Sequence, residues 1–375
     1  MDNPGRLKPL DEFNLSDMET VGLILRGDSV ADWRRLNLTT EEEARELLEA
    51  QEFHPDEPSD RARLEKIKNE AISYLRRHFD FPIPKPVERA SVEELMLLAS
   101  GRGHRQLCAC TILKAMHIVH HVDGRELLFT IPMSHQEVFH FVEEKVYRVI
   151  GDMLSQGFPI TEFIGGRKNK DSLYTKLLSK PDTIAAPVYD RLRFRIVTRT
   201  ADDILPTVLY LSQRLFPVNL VIPHQSLNTM FRLKSYFSKF ERLRDLLPHF
   251  QLRVDDLLTH GDNLFSAEAF RAIHFVCDVP VRLPRDSLEN APSTAWALGP
   301  VVFVTSEFQI VDRETEAANE LGEGSHARYK ARQNEAVMRR LKLGVDQPAE
   351  PGGEGEPGGL DGVPPGSSQS GEPSS

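Results

Sequence analysis

The 375-residue sequence predicts an α+β or α/β fold, in which a helical N-terminal region precedes a mixed β-sheet of about five strands flanked by helices. Two observations support this prediction. Apolar residues recur at helical spacing up to about residue 157, most clearly over 106–122 and 135–154. From Phe158 onward, short runs rich in β-branched and aromatic residues alternate with helical segments.

The second half of the chain contains the predicted strands. They are expected over 190–198, 269–283 and 301–311, with helices over 201–215 and 315–343 and a break at 322–324. Residues 217–262 are charged, mostly helical and too long for a loop, so we expect a helical insertion. Residues 344–375 are mainly Gly, Pro, Ser and Glu, and we expect them to be disordered. The predicted units are therefore 1–157, 158–343 and 344–375.

Charge and composition narrow the classes of function. The net charge is −10, but the segment from Gly344 onward carries six acids and no Lys or Arg, which leaves −4 for the rest. A mildly acidic body argues against general nucleic-acid binding. No apolar run is long enough for a membrane span, and the N-terminus lacks a signal-peptide pattern. Three cysteines are too few for a disulfide framework, so a cytoplasmic protein is expected.

One apolar run, 303–310, contains an acid and an amide, Glu307 and Gln309. Because side chains alternate along a strand, the two lie on the same face. A carboxylate on a core strand is costly unless a metal, a base or a substrate pairs with it. The alternative is an edge strand with a solvated face.

Two further segments combine charge with strand or helix patterns. Gly165-Gly166 is expected to form a turn before a helix on which Lys168, Ser172 and Lys176 share one face, an arrangement that suits a triphosphate or, alternatively, a solvated basic surface. Residues 189–197 are predicted to form a strand that carries Asp190, Arg193 and Arg195, and the pattern alone is typical of an Asp–Arg ion pair at a strand end.

A third segment, 269–276, combines an aromatic residue with two basic ones, Phe270, Arg271 and His274. Together with the other segments, in this order, it resembles the synthetase domain of the RelA/SpoT family, which makes the alarmone (p)ppGpp. The resemblance covers about residues 158–330 without the insertion, and implies a nucleotidyltransferase-like sheet.

The resemblance implies a role for each matching residue. On the ATP side, Lys168, Ser172 and Lys176 match phosphate-binding positions, Arg167 lies one residue from the family's arginine, and Arg193 and Arg195 extend the clamp. Asp190 and Glu307 would be the catalytic pair that holds Mg²⁺ and activates the acceptor. On the acceptor side, Phe270 would stack on guanine, supported by Arg271, His274 and Gln309.

The sequence also departs from the family pattern. Gly166 stands where the family has Arg, and Arg193 where it has Gly; Asn319 and Val311 are further departures. Within the insertion, 224–229 is a rival for the stacking segment, but we prefer Phe270 because it precedes a strand. The closing helix carries matching residues at Glu320, Gly322, His326, Tyr329 and Lys330.

Three histidines of the N-terminal region, His117, His120 and His121, lie close to Asp123 in the sequence. His117 and His121 have the spacing of a helical metal pair, although packing at a helix end is the favoured interpretation.

The expected function is transfer of a pyrophosphoryl group from ATP to the ribose 3′-OH of GDP or GTP, with Mg²⁺ as cofactor. Two alternatives stay open. The acceptor could instead be an adenine nucleotide or the 3′ end of tRNA, or the domain could be a nucleotide-sensing module without turnover.

Overall fold

The computed structural model describes residues 7–27, 37–167, 169–179, 192–250, 270–321 and 326–342. The N-terminal helices are α1 (Leu15–Arg26), α2 (Glu41–Ala50), α3 (Pro58–Phe79), α4 (Lys85–Arg89), α5 (Val92–Ser100), α6 (His104–Thr130) and α7 (His135–Ser155). Several of them begin at a capping box, in which a hydroxyl or amide side chain binds the third backbone N–H of the helix and an acid binds back. Thr40 with Glu43 and Ser134 with Glu137 are examples.

A five-stranded sheet follows, and its strands lie in the order β1-β2-β5-β4-β3. The strands are β1 (Ile160–Arg167), β2 (Leu192–Thr198), β3 (Leu227–Asn228), β4 (Ile273–Arg282) and β5 (Val301–Asp312). Only β2 and β5 are parallel, and the other neighbours are antiparallel. The sheet is therefore mixed, and the predicted fold class is confirmed.

The remaining helices are α8 (Lys170–Ser179), α9 (Ile204–Arg214), α10 (Leu233–Phe237), α11 (Glu241–Leu246), α12 (Arg285–Glu289), α13 (Ser293–Leu298), α14 (Arg313–Leu321) and α15 (His326–Lys342). Two sequence expectations are corrected here. Gly165 and Gly166 belong to β1 and do not form a turn. Because α8 begins at Lys170, Lys168 precedes the helix, and only Ser172 and Lys176 belong to it.

The supposed helical insertion contributes to the sheet. Residues 227–228 form the edge strand β3 against β4, and the short helices α10 and α11 follow. Residues 251–262 lie outside the described part of the chain. The segment therefore joins the sheet, because its backbone supplies hydrogen-bonding partners for the edge of β4.

One face of the sheet carries the aromatic core. Phe194, Phe308 and Phe275 lie opposite one another on β2, β5 and β4, and Phe216 packs against Phe308 at 5.1 Å between ring centroids. The same buried cluster extends into the N-terminal helices, for example to Ile112 of α6. Helices and sheet thus share one continuous hydrophobic core.

The other face is half covered by α6. Gly124 of α6 lies so close to β5 that a Cβ atom there would come within 2.5 Å of the Phe303 ring. His120 and His121 also contact this ring, with centroids 5.0 and 4.8 Å away. The end of this face that carries Glu307 holds the polar residues described next. No helix in the described residues is long and apolar enough to cross a membrane.

Candidate active site

The site is centred on Glu307 of β5. The register places Arg193 of β2 directly opposite Glu307, and Gln309 lies between Arg195 and His274 of the two neighbouring strands. Because side chains alternate along each strand, all five side chains emerge on one face of the sheet. Five of the side chains predicted from the sequence are therefore brought together by the pairing of three strands.

Glu307 is a buried carboxylate with two basic partners. Its Oε1 lies 2.9 Å from a terminal guanidinium nitrogen of Arg193 and 3.0 Å from Nε2 of His274. The Glu307 side chain is only 5% exposed, whereas those of Arg193 and His274 are 38% and 28% exposed. The edge-strand alternative is wrong, since β5 lies between β2 and β4. The acid is tolerated because charged hydrogen-bonding groups compensate its desolvation.

Arg195 is anchored differently. A terminal nitrogen lies 2.7 Å from Oε2 of Glu316 on α14 and 4.0 Å from Oε1 of Glu320. Burial raises the pKa of Glu316, which the charge of Arg195 partly opposes and Glu320 reinforces. The buried Nε atoms of Arg193 and Arg195 have no hydrogen-bond partner among the described residues. The terminal nitrogens of the two guanidinium groups are the atoms that pair with Glu307 and Glu316.

The predicted acceptor segment begins before β4, where Phe270 is half-buried and Arg271 is exposed. Asn319 of α14 holds this segment through two hydrogen bonds: the Arg271 N–H donates to Asn319 Oδ1 at 3.0 Å, and Asn319 Nδ2 donates to the Arg271 carbonyl at 2.7 Å. On the other side, the Ala272 N–H donates to the Thr229 hydroxyl at 2.8 Å. The backbone of 271–272 is therefore clamped between two elements.

Thr229 belongs to the rival segment 224–229, which lies beside the preferred one. Leu227 pairs with His274 and Asn228 with Ile273 across the β3–β4 ladder. The two candidates are therefore neighbours at the edge of the sheet. Sequence reasoning treated them as exclusive because strand pairing between distant residues is not visible in a local pattern.

Other predicted residues are not part of this group. Arg167 alternates to the opposite face of β1 from Gly166, which lies opposite Arg193. There it makes a bidentate pair with Glu143 of α7, at 3.0 and 2.8 Å. The structure thus places Arg167 on the opposite face of the sheet from Arg193 and Arg195.

The ATP-side residues are only partly described. Asp190 and Lys168 lie outside the described residues, and so does the side chain of Lys176. Ser172 is half-buried on α8. Of the closing-helix residues, Gly322 lies outside the described residues and so does the His326 side chain, whereas Tyr329 and Lys330 lie on α15.

The described residues alone do not fit a divalent metal. They contain no group of three His, Cys, Asp or Glu side chains that could hold one. Glu307 and His274 contact each other, and Arg193 already supplies the positive charge beside the carboxylate. The second predicted ligand, Asp190, is outside the described residues.

A second buried acid, Asp278 of β4, escaped the sequence analysis. Its Oδ2 lies 2.7 Å from Nε2 of His121 and 3.0 Å from a terminal nitrogen of Arg125, both on α6, and Thr305 of β5 donates its hydroxyl to Oδ1 at 2.5 Å. Burial opposes ionisation of Asp278, but the hydrogen bonds from His121 and Thr305 and the charge of Arg125 outweigh it and lower the pKa. A lone acid in the apolar run 275–281 was the available signal.

His117 and His120 of α6 are packed against other side chains. His117 lies within 3.2 Å of the side-chain amide of Asn219, and His120 packs between Phe53 and Phe303. Burial lowers the pKa of His117 to about 4 and that of His120 to about 3. Asp123 pairs with Arg63 instead of with a histidine.

No protein-family model matches the chain, and no curated protein matches it. Among solved structures it is similar to small alarmone synthetase 2 from Bacillus subtilis, with 15% identity, a TM-score of 0.29 and coverage of 56% of this chain and 92% of that one. Small alarmone synthetase 1 from Bacillus subtilis, bound to its product pppGpp, gives 14%, 0.30, 56% and 89%. A GTP pyrophosphokinase family protein from Streptococcus pneumoniae gives 15%, 0.25, 57% and 94%.

These neighbours are of the kind that the sequence resemblance predicted, namely alarmone synthetases and a GTP pyrophosphokinase family protein. Identities and TM-scores at this level carry no argument about activity in this chain.

Proposed function

We propose that the site around Glu307 catalyses the transfer of a pyrophosphoryl group from ATP to the ribose 3′-OH of GDP or GTP. The observation that carries this proposal is the convergence of a buried carboxylate, two arginines and a histidine on one face of three adjacent strands. Transfer to a hydroxyl needs cations around the phosphates and a group that accepts the hydroxyl proton.

In this reaction the 3′ oxygen of the acceptor forms a bond to the β-phosphorus of ATP. The bond from that phosphorus to the oxygen bridging the α and β positions breaks, and AMP leaves. Glu307 would accept the hydroxyl proton, because it is the carboxylate at the centre of the face. Arg193 and Arg195 would neutralise charge on the phosphate oxygens through their guanidinium groups.

The remaining predicted ligands belong to the same proposal. Lys168, Ser172 and Lys176 would hold the outer phosphates of ATP, and Mg²⁺ would enter with the triphosphate, with Asp190 and Glu307 as its protein ligands. Mg²⁺ would supply charge neutralisation between phosphates.

The acceptor would bind at the other side of Glu307. Phe270 keeps an aromatic surface for a base to stack on. Arg271, His274 and Gln309 would contact the nucleotide, since His274 and Gln309 lie opposite each other on adjacent strands.

The test is to incubate the purified protein with Mg²⁺, ATP and GDP or GTP and to resolve the nucleotides by anion exchange. A pyrophosphorylated guanine nucleotide and AMP are expected in equal amounts, and Asp190→Asn should abolish both. The same assay with radiolabelled ATP and either adenine nucleotides or tRNA distinguishes the alternative acceptors. Failure to form product with any acceptor contradicts the proposal.

A nucleotide-sensing module is the second candidate, and one contact favours it. Arg193 pairs with the Glu307 carboxylate, and the family pattern has a glycine at position 193. Nucleotide binding measured by calorimetry, without turnover under any of the conditions above, would support this candidate.

A further inference from the structure

We infer that Arg193 is the resident counter-ion of Glu307 and makes this carboxylate unavailable to a free divalent metal ion until a phosphate ligand draws the guanidinium away. This inference rests on the proposed function, because it assigns an order to the binding of its substrates. The predicted order is triphosphate first, or triphosphate with metal, and never the metal alone.

The first step of the inference is geometric. Arg193 and Glu307 are direct partners across the parallel β2–β5 ladder, and their charged groups lie 2.9 Å apart. The Glu307 side chain is almost fully buried, while the Arg193 side chain is more than a third exposed. The Arg193 side chain is therefore the more solvent-accessible member of the pair.

The second step concerns charge. A buried carboxylate requires a compensating partner, and Arg193 provides one full positive charge. His274 contributes a further contact at 3.0 Å. A divalent ion that approached Glu307 would meet the guanidinium at close range, and the repulsion between like charges would weaken its binding.

The third step is the contrast with Arg195. Arg195 is tied to Glu316 and Glu320 of α14, and its side chain is 20% exposed. Arg193 is more exposed, and within the described part of the chain Glu307 is its ion-pair partner. Phosphate competes well for a guanidinium, because two parallel N–H donors match two phosphate oxygens. Arg193 can therefore exchange a carboxylate for a phosphate by a side-chain rotation. Arg195 would first have to give up its ion pairs with α14.

The consequence is specific to this chain. With glycine at position 193, as in the resembled family pattern, β2 would not supply this counter-ion. With Arg193, the resting Glu307 carboxylate has a positive partner without metal.

The experiment measures binding of Mn²⁺ alone, from the electron paramagnetic resonance signal of the free ion. Wild type, R193Q, R193K and the double variant R193Q/E307Q are compared without nucleotide. We expect R193Q to bind Mn²⁺ at least about tenfold more tightly than wild type, R193K to stay weak, and the double variant to lose the gain. A non-hydrolysable ATP analogue should raise Mn²⁺ binding in wild type far more than in R193Q.

The matched control is R199Q, which removes an exposed arginine just beyond the end of β2. It should leave Mn²⁺ binding unchanged. Circular dichroism checks folding, and R193T, which keeps a strand-forming residue, replaces R193Q if the latter does not fold. Wild type binding free Mn²⁺ as tightly as R193Q, or a gain that survives in the double variant, would overturn the inference.

The two proposals fail separately. Absence of product with every acceptor contradicts the proposed function and leaves the Mn²⁺ comparison intact. An active enzyme whose R193Q variant shows no gain in Mn²⁺ binding contradicts only the counter-ion role of Arg193.

Discussion

Two buried acids on one face of the sheet invite comparison. Glu307 of β5 lies opposite Val276, and Asp278 of β4 lies opposite Thr305, so the two are one side-chain row apart on adjacent strands. Both are almost fully buried, and each contacts one arginine and one histidine. Yet their surroundings differ in where the partners come from.

The partners of Asp278 come mainly from α6, in the N-terminal region, and Thr305 completes its hydrogen bonding. Two basic partners of Glu307, Arg193 and His274, come from the strands on either side. A carboxylate whose ligands come from a covering helix attaches that helix to the sheet. A basic partner that extends from a neighbouring strand can exchange one acid for another without detaching a helix. The same chemistry thus serves stability in one half of the face and, in our proposal, function in the other.

The largest expected effect is on turnover. Glu307→Gln removes the negative charge at the centre of the candidate active site but keeps the shape of the side chain, so product formation should fall about 10³-fold. The melting temperature should change little, because the strands that carry Arg193 and His274 stay paired with β5 through their backbone hydrogen bonds. Rates from the anion-exchange assay and thermal melts measure both effects. Turnover that survives this substitution would contradict a catalytic role for Glu307 and, with it, the functional contrast between Glu307 and Asp278.

Asp278→Asn should act mainly on stability. It removes the charge that His121, Arg125 and Thr305 contact, and the loss of these charge-assisted hydrogen bonds between α6 and the sheet should cost about 2 kcal/mol of the free energy of unfolding. Urea denaturation measures the loss. Asp152→Asn, at an exposed position of α7, is the matched control and should stay within about 0.5 kcal/mol of wild type. Equal effects of the two substitutions would contradict a structural role for Asp278.

The contact between α6 and β5 gives a sharper steric test. Gly124→Ala places a Cβ atom against the Phe303 ring and the Val301 carbonyl, so the free energy of unfolding should fall by about 2 kcal/mol. Gly151→Ala, in the helix α7, meets nothing within 4 Å and should raise stability by about 0.5–1 kcal/mol through helix propensity. Opposite signs in urea denaturation are the expected result. Destabilisation by both would indicate that α6 does not pack closely here.

The region where α6 packs against the sheet should also make the stability of the fold sensitive to acid. Well above pH 6.5, His117 and His120 are neutral in both the folded and the unfolded chain, so they add no pH dependence to the free energy of unfolding. As the pH falls below 6.5, the unfolded chain binds protons that the folded chain refuses until about pH 4 for His117 and about pH 3 for His120. Stability should therefore fall by about 1.4 kcal/mol per pH unit for each histidine in this window.

His120→Leu should remove one share of this slope, since Leu cannot be protonated and fits an apolar environment between Phe53 and Phe303. Urea denaturation at pH 7, 6 and 5 measures the slope for both proteins. An unchanged slope would show that His120 does not contribute to acid sensitivity.

Local sequence patterns predicted several features of the candidate active site. The alternation of 303–310 placed Glu307 and Gln309 on one face, and the same period placed Arg193 and Arg195 together. The structure agrees, because this periodicity depends only on strand geometry. The wrong predictions were those that depend on contacts between residues far apart in the chain. Gly165-Gly166 resembles a turn, yet pairing with β2 holds it in a strand.

The amino-acid order alone was enough to predict a helical region before a mixed sheet and the faces on which charged side chains lie, because hydrophobic period and strand alternation are local properties. Tertiary structure decided which charges meet. It aligned Arg193 with Glu307, moved Arg167 to the other face, and brought α6 onto Asp278. Strand register and helix packing join residues far apart in the chain, and their energies depend on burial that no local pattern encodes.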